Sequence, residues 1–435
     1  MIFFNEKCCI FLIFSYIIVL WSLVLKNYVG DYIMCEVNLK DIVTAQKVLK
    51  PIIKETSLIE CQELSKKTGG TVYLKPENLQ LTGSFKIRGA FNKISNLSDE
   101  EKAAGVIASS AGNHAQGVAL SATKLGIKST IVMPEAAPLS KVTATKNFGA
   151  EVVLHGSVYD EAYTKACELQ KESGATFLHP FDDKHVIAGQ GTIGLEILTQ
   201  LEDVDVVLVP IGGGGILAGI ATAIKAINPS VKVIGVEAAN APCMKSAVEK
   251  GEVYTIDTKS TIADGIAVKR AGDLTYKIIK ENVDEFVTVT ETEIAQAILL
   301  LVEKGKITVE GAGAVSVAAL LNSDLDLKGK NIVSVVSGGN LDVNLMERII
   351  NKALIANHRR FTVEVKLVDK FGELDNLLDI ITESRANILN ISQTRYKSTL
   401  EIDEQAVEVT LETIDKGHVD AIVAKLIESG YEILD

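Results

Sequence analysis

The chain is short of paired cysteines. It has six, Cys8, Cys9, Cys35, Cys61, Cys167 and Cys243, and none forms a C-x-x-C pair or joins histidines at zinc spacing. A zinc module is excluded, and the thiols read as free groups in a reducing, cytoplasmic compartment. Positive charge is also in deficit. Lys and Arg number 44 against 56 Asp and Glu, a net charge of −12. Such a chain does not bind nucleic acid or anionic lipid non-specifically. Small anions remain bindable, because local backbone N–H groups hold phosphate without net charge. Apart from an internal symmetry in the C-terminal segment, there are no repeats and no low-complexity tracts. What is abundant is apolar content, 47% of 435 residues, enough for roughly two to three domains.

The opening residues are out of character. Residues 8–25, CCIFLIFSYIIVLWSLVL, carry no charge and include the lone tryptophan, Trp21. This length reaches the lower limit for a membrane span. A small-residue cleavage site is absent, so a secretory signal fits poorly. The preferred expectation is a mis-assigned start: codons for Val29-Gly30-Asp31 can spell a ribosome-binding sequence ahead of Met34. A membrane anchor is the alternative for residues 1–33.

From Met34 to about Asn344, β-branched runs alternate with helical ones. GVIAS precedes GNHAQGVALSATKLG, VDVVLVP precedes a glycine loop and ILAGIATAIKAI, and NIVSVV precedes SGGN. This pattern predicts an α/β fold with mostly parallel sheets covered on both faces. Residues 345–358 read as a linker helix. From Arg359 to Asp435 the order becomes β-α-β-β-α-β, a ferredoxin-like arrangement.

Four motifs carry chemistry. The first is Ser84-Phe85-Lys86-Ile87-Arg88-Gly89-Ala90, preceded by Lys75-Pro76-Glu77-Asn78. Alone, Lys86 could be a snorkelling surface lysine. The second is Ser109-Ser110-Ala111-Gly112-Asn113-His114, a small-residue loop opening a helix. Its unpaired N–H groups suit a carboxylate, or simply cap the helix. The third is Gly212-Gly213-Gly214-Gly215-Ile216, between an apolar strand and a helix. Its backbone can approach a phosphate closely, although a tight turn would read similarly. No G-K-[ST] follows, so it is not a Walker loop. The fourth is Val336-Ser337-Gly338-Gly339-Asn340, which in isolation is a strand-end turn.

Together, in this order, these motifs resemble the threonine dehydratases of the fold-type II pyridoxal-phosphate family, over about Asp41 to Asn344. The resemblance implies a tryptophan synthase β-like fold, with a small subdomain at about 78–177 inserted in the catalytic domain 34–344. It implies that Lys86 holds the cofactor as a Schiff base and then acts as general base. Phe85 would pack on the pyridine ring, and Asn113 would bond its 3′-oxygen. Ser110, Ala111, Gly112, Asn113 and His114 would hold the substrate carboxylate, and Gly212 to Ile216 the phosphate. Ser337 would face the pyridine nitrogen; a hydroxyl makes a weak electron sink, which suits prompt β-elimination. Gly265, within Ile262–Val268, would leave room at the cofactor face. Glu310, at a helix start, would lie near the ring or a cation, or be a helix-terminus charge.

The reaction implied is loss of water and then ammonia from threonine, and from serine. A divalent site of related serine racemases falls at Glu237, Ala241 and Cys243. The cysteine puts that metal in doubt and leaves Glu237 for a monovalent cation or a strand cap. A racemase needs a second acid, a serine in those relatives, where this chain has Ala111. A β-replacement synthase would have Thr at His114. A non-catalytic amino-acid sensor conflicts with the intact motifs. Residues 359–435 resemble an ACT domain, with Asp369-x-x-Gly372-x-Leu374 as its ligand turn. That implies an amino-acid effector or a dimerisation module, and a homo-oligomer.

Overall fold

The computed structural model describes residues 37–434. The apolar run 8–25 and the expected start at Met34 lie outside them. Among the described residues no helix is long and apolar enough to cross a membrane.

The central sheet has six strands, in the order Ile59–Glu60, Thr71–Pro76, Asn331–Val336, Val206–Pro210, Lys232–Ala238 and Glu285–Val289. Only the first pair is antiparallel; the rest run parallel. Its inner strands are buried on both faces, which explains their continuous apolar runs. Val206 and Leu208 join one core with the helices Glu291–Leu300 and Gly311–Asn322. Val207 and Val209 join the other, with Lys184–Gln200 and Gly215–Ile227. That split follows from the period of two along a strand.

A second, fully parallel sheet holds Glu151–Leu154, Ser129–Met133, Val106–Ser109 and Thr176–Phe177. The two parts meet through helices Lys86–Ser95 and Lys184–Gln200, which cross closely. A Cβ at Gly89 would lie 2.9 Å from the Val186 carbonyl, and one at Gly189 2.6 Å from that of Arg88. Glycine is needed at both positions for this approach.

Helix Val343–Ala356 leads to the tail. There, Asn387–Thr394, Glu404–Glu412, Arg360–Val368 and Glu432–Leu434 form an antiparallel sheet in that order. Val363, Val365, Leu367, Val407, Val409 and Leu411 point to helices Glu373–Glu383 and Lys416–Glu428. This is the ferredoxin-like arrangement expected.

Candidate active site

Parallel strands gather their carboxyl ends, and ligands of open α/β sheets bind there. Val106–Ser109 runs into the Ser110–His114 loop, Val206–Pro210 into the glycine loop, and Asn331–Val336 into Ser337–Asn340. Lys86 begins its own helix immediately after Phe85. The Phe85 N–H donates to the Ser337 carbonyl at 3.1 Å, and Gly339 N–H to that of Gly83 at 2.8 Å. The first and fourth motifs are thus stitched together.

The Lys86 Nζ donates to the Pro180 carbonyl at 3.0 Å and lies 5.2 Å from the Phe85 ring centre. Burial lowers its pKa to about 8, against an opposing pull from Glu310. About a tenth is therefore neutral amine at pH 7, the form a nucleophile or base requires.

Glu310 is the N-cap of helix Gly311–Asn322, yet its side chain caps nothing. Its Oε1 instead accepts from Asn113 Nδ2 at 2.5 Å. Burial raises this carboxyl to about 7, Asp264 adds to the rise, and the Asn113 bond opposes it. Asn113 is held on its other side too, because Asn340 Nδ2 donates to its Oδ1 at 2.7 Å and to the Thr82 carbonyl at 2.8 Å. Glu310, Asn113 and Asn340 form a chain that fixes the Asn113 amide.

In the second motif, Ser110 Oγ accepts the Gly112 N–H at 3.2 Å. Helix Asn113–Lys124 has no side-chain cap, so its first N–H groups have no intrahelical partner. His114 Nε2 is 2.9 Å from the Leu178 carbonyl, and burial depresses its pKa to about 3. The neutral ring is engaged there, so His114 offers the loop its backbone N–H rather than its imidazole. A Cβ at Gly112 would meet open space, and Ala111 is partly exposed.

Helix Gly215–Ile227 likewise lacks a side-chain cap. Gly214, at φ +97°, aims the loop, and a Cβ there would lie 2.6 Å from Met244. Unpaired N–H groups at an uncapped helix start, free of acidic residues, fit a phosphate. Ser337 is buried, with its Oγ 3.4 Å from the Ala312 carbonyl, a long contact that leaves the hydroxyl free to turn. A Cβ at Gly265 would lie 3.1 Å from Ala312 and 3.8 Å from Glu310 Oε1, which places Gly265 on the same wall. Amine, phosphate-type cradle and hydroxyl together fit pyridoxal phosphate.

Several supporting residues were not singled out by sequence reasoning. The turn after Thr176–Phe177 supplies the Leu178 and Pro180 carbonyls. Its Asp182 carboxylate accepts three N–H bonds, from Asp273, Leu274 and Thr275, at 3.0, 3.0 and 3.1 Å. Phe181 packs under the glycine loop. Beneath Lys86 lies a buried ionic network. Arg88 bonds Glu77 at 2.7 and 2.8 Å and Glu196 at 2.5 and 2.9 Å, and Lys75 bonds Glu196 at 2.6 Å. Burial alone would raise the Glu77 carboxyl, but Arg88 holds it below the usual range. The one visible signal was charged residues interleaved with apolar ones in KPEN and FKIRGA.

Glu237 corrects one expectation. It caps a helix rather than a strand: its oxygens accept the N–H groups of Met244 and Lys245, each at 2.8 Å. Among the described residues no three His, Cys, Asp or Glu side chains are placed to hold a metal.

The fold and this pocket define a pyridoxal-phosphate enzyme, and the chain belongs to the pyridoxal-phosphate dependent enzyme family, whose model matches residues 49–338. More narrowly, it is similar to an L-threonine ammonia-lyase of Thermotoga maritima, 53% identical over 397 residues, covering 91% of this chain and 99% of that one. Among solved structures, a processed threonine deaminase isoform 2 of Solanum lycopersicum is 41% identical with a TM-score of 0.70, covering 72% of this chain and 92% of that one. Maize serine racemase is 35% identical, also with a TM-score of 0.70, covering 74% and 99%.

Proposed function

We propose that this protein is a threonine ammonia-lyase, a carbon–nitrogen lyase that converts L-threonine to 2-oxobutanoate and ammonia, and L-serine to pyruvate. The observation that carries it is the single amine, Lys86, with a pKa of about 8, set beside a loop in which Ala111 offers no second proton. Bound pyridoxal phosphate supplies the electron sink at the substrate α-carbon. Lys86 takes the α-proton, and the Pro180 carbonyl accepts a hydrogen bond from the ammonium so formed. The first N–H groups of helix Asn113–Lys124 hold the substrate carboxylate. Glu310 and Asn340 keep the Asn113 amide aimed at the cofactor. The glycine loop would hold the phosphate, and Ser337 would offer its hydroxyl to the ring nitrogen.

Racemisation is the second reading, since serine racemase shares the fold. It requires an acid on the face opposite Lys86, and alanine cannot supply one. The test is product analysis with L-threonine and L-serine. Keto acid from both is expected; D-serine as the main product, or no 2-oxobutanoate, would overturn the assignment.

The catalytic domain 34–344 is joined by the linker helix to a regulatory tail of the ACT type, at 359–435. Gly372, at φ +89°, opens helix Glu373–Glu383, which has no side-chain cap, so its N–H groups suit an amino-acid carboxylate. Beside it Arg395 clasps Asp369 at 2.6 and 2.9 Å. The edge strand Asn387–Thr394 turns Leu389 and Ile391 outward, which favours pairing with a second copy and hence a homo-oligomer. Threonine saturation with and without isoleucine or valine tests regulation; curves unchanged in both would leave the tail an assembly device. Light scattering tests the oligomer, and a clean monomer refutes it. Free Cys61, Cys167 and Cys243 accord with a cytoplasmic location.

A further inference from the structure

The turn that follows strand Thr176–Phe177 is fixed at several points around the pocket. Its Leu178 carbonyl engages His114, and its Pro180 carbonyl engages Lys86. Its Asp182 carboxylate caps helix Asp273–Asn282, whose own N-cap residue, Gly272, has no side chain to do so. Phe181 packs so closely on the glycine loop that a Cβ at Gly215 would lie 2.9 Å from its own. A side chain carried on a turn held in this way has little freedom to wander.

His179 stands in the middle of that turn, half-buried. Its Nδ1 accepts the N–H of Asp182 at 2.8 Å and that of Phe181 at 3.4 Å. Its ring meets the Phe181 ring edge-on, with centres 4.7 Å apart. An Nδ1 that accepts backbone N–H groups carries no proton, so the proton sits on Nε2. Burial, and then the nearby Lys86 ammonium, hold the ring below its ordinary pKa of 6.5, with Asp182 opposing them. The ring is therefore neutral near pH 7. The charges of both Lys86 and His114 are felt at this ring, which places it beside them. Among the described residues its Nε2–H has no hydrogen-bond acceptor.

The polar groups of the substrate leave one atom for that donor. The amine goes to the cofactor, and the carboxylate to the first N–H groups of helix Asn113–Lys124. The β-oxygen remains. The other side chains of the pocket are committed: the His114 imidazole to Leu178, the Asn113 amide to Glu310 and Asn340, and Ser110 to the carboxylate loop. A neutral N–H matches a neutral hydroxyl oxygen, with no charge left over on either side.

We propose that His179 recognises the β-hydroxyl of the substrate, donating a hydrogen bond from its Nε2–H to the β-oxygen. This rests on the lyase reading above. A neutral imidazole is too weak an acid to surrender that proton, so the residue sets specificity and is not the acid of the reaction.

The experiment measures keto acid formed by full-length holoenzyme from L-serine, L-threonine and β-chloro-L-alanine, whose chloride departs without a hydroxyl to recognise. The quantity read is the ratio of kcat/KM for serine to that for β-chloroalanine, in which general damage to the pocket cancels. Two variants separate the two nitrogens of the ring. His179→Asn keeps an acceptor where Nδ1 stands, and so the turn, but its side chain ends short of Nε2. His179→Gln puts an N–H where Nε2 stands and gives up the acceptor. The ratio should fall at least tenfold in His179→Asn, with threonine following serine, and stay within threefold of wild type in His179→Gln. A smaller fall in His179→Asn overturns the proposal. So does an equal fall in His179→Gln, or loss of β-chloroalanine turnover in step with serine, since either makes the ring a brace for the turn. Wild-type protein that forms keto acid from β-chloroalanine alone, or from none of the three, would remove the lyase reading itself and the proposal with it.

Discussion

Replacing Glu310 by Gln should stabilise the cofactor-free protein, and only at neutral to alkaline pH. Moving this carboxyl from the ordinary 4.5 to about 7 makes its ionisation costlier by about 3 kcal/mol. In the unfolded chain it ionises near 4.5; in the folded chain it holds its proton to about 7. Between these values the folded state binds more protons, so this group's contribution to stability falls as pH rises. Below about 4.5 there is no cost, at pH 5 it is under about 1 kcal/mol, and by pH 8 it reaches about 3 kcal/mol. Glutamine carries no charge, and its amide oxygen still accepts from Asn113. The groups that face Glu310 and set the shift, namely Asp264, Asn113, Lys141 and Lys86, are unchanged. Thermal unfolding of wild type and variant, both stripped of cofactor, measures the difference. At about 2 °C per kcal/mol for a large domain, the variant should melt about 6 °C higher at pH 8 and within about 2 °C at pH 5. An equal gain at both pH values, or a loss at pH 8, would refute the reading of Glu310 as a carboxyl strained by burial.

Further outcomes follow from the same geometry. Lys86→Ala should abolish turnover, and in wild-type apoprotein the rate of cofactor capture should rise about tenfold per pH unit up to about 8 and then level; a flat rate from pH 6 to 8 would contradict the depressed amine. Arg88→Leu leaves Glu77 and Glu196 facing only Lys75 and should cost about 3–5 kcal/mol in denaturant unfolding; a change below 1 kcal/mol would show that the network is dispensable. Ala111→Ser restores a candidate second acid, and chiral analysis of residual serine should then find D-serine or slowed elimination. Unchanged kinetics without D-serine would count against that role for the loop.

The features legible in the sequence were those written in local patterns. Apolar runs marked the strands Val206–Pro210 and Asn331–Val336, and period-two alternation marked Arg360–Val368 and Glu404–Glu412. Glycine clusters marked the loops between them. The strand Thr71–Pro76 was not distinguished, although it is interior to the large sheet. Its TVYLKP carries a fully buried Lys75, which reads as a surface residue until Glu196, far along the chain, is seen to neutralise it. Pro180 was invisible for a related reason. Its contribution is a carbonyl, and every residue has one; only the fold brings that oxygen to Lys86, 94 residues away. Glu310 shows the limit from the other side. Its place at a helix start was readable, but whether its carboxylate capped that helix or turned to Asn113 depended on a loop 197 residues distant.

The same contrast bears on how such a fold changes its chemistry. Maize serine racemase matches this chain with the TM-score of the tomato deaminase, so backbone architecture does not separate the two reactions. On the proposed reading, the parts that would hold the cofactor are largely backbone: uncapped helix starts and a glycine loop. Such contacts tolerate replacement of neighbouring side chains, because they depend on chain path rather than residue identity. On the proposed reading, the reaction's outcome rests on the few side chains that would exchange a proton with the substrate, Lys86 and the residue at 111. With alanine at 111, the face opposite Lys86 receives no proton from that position. On that reading, an α-carbon that gives its proton to Lys86 either recovers it from Lys86 or expels the β-hydroxyl.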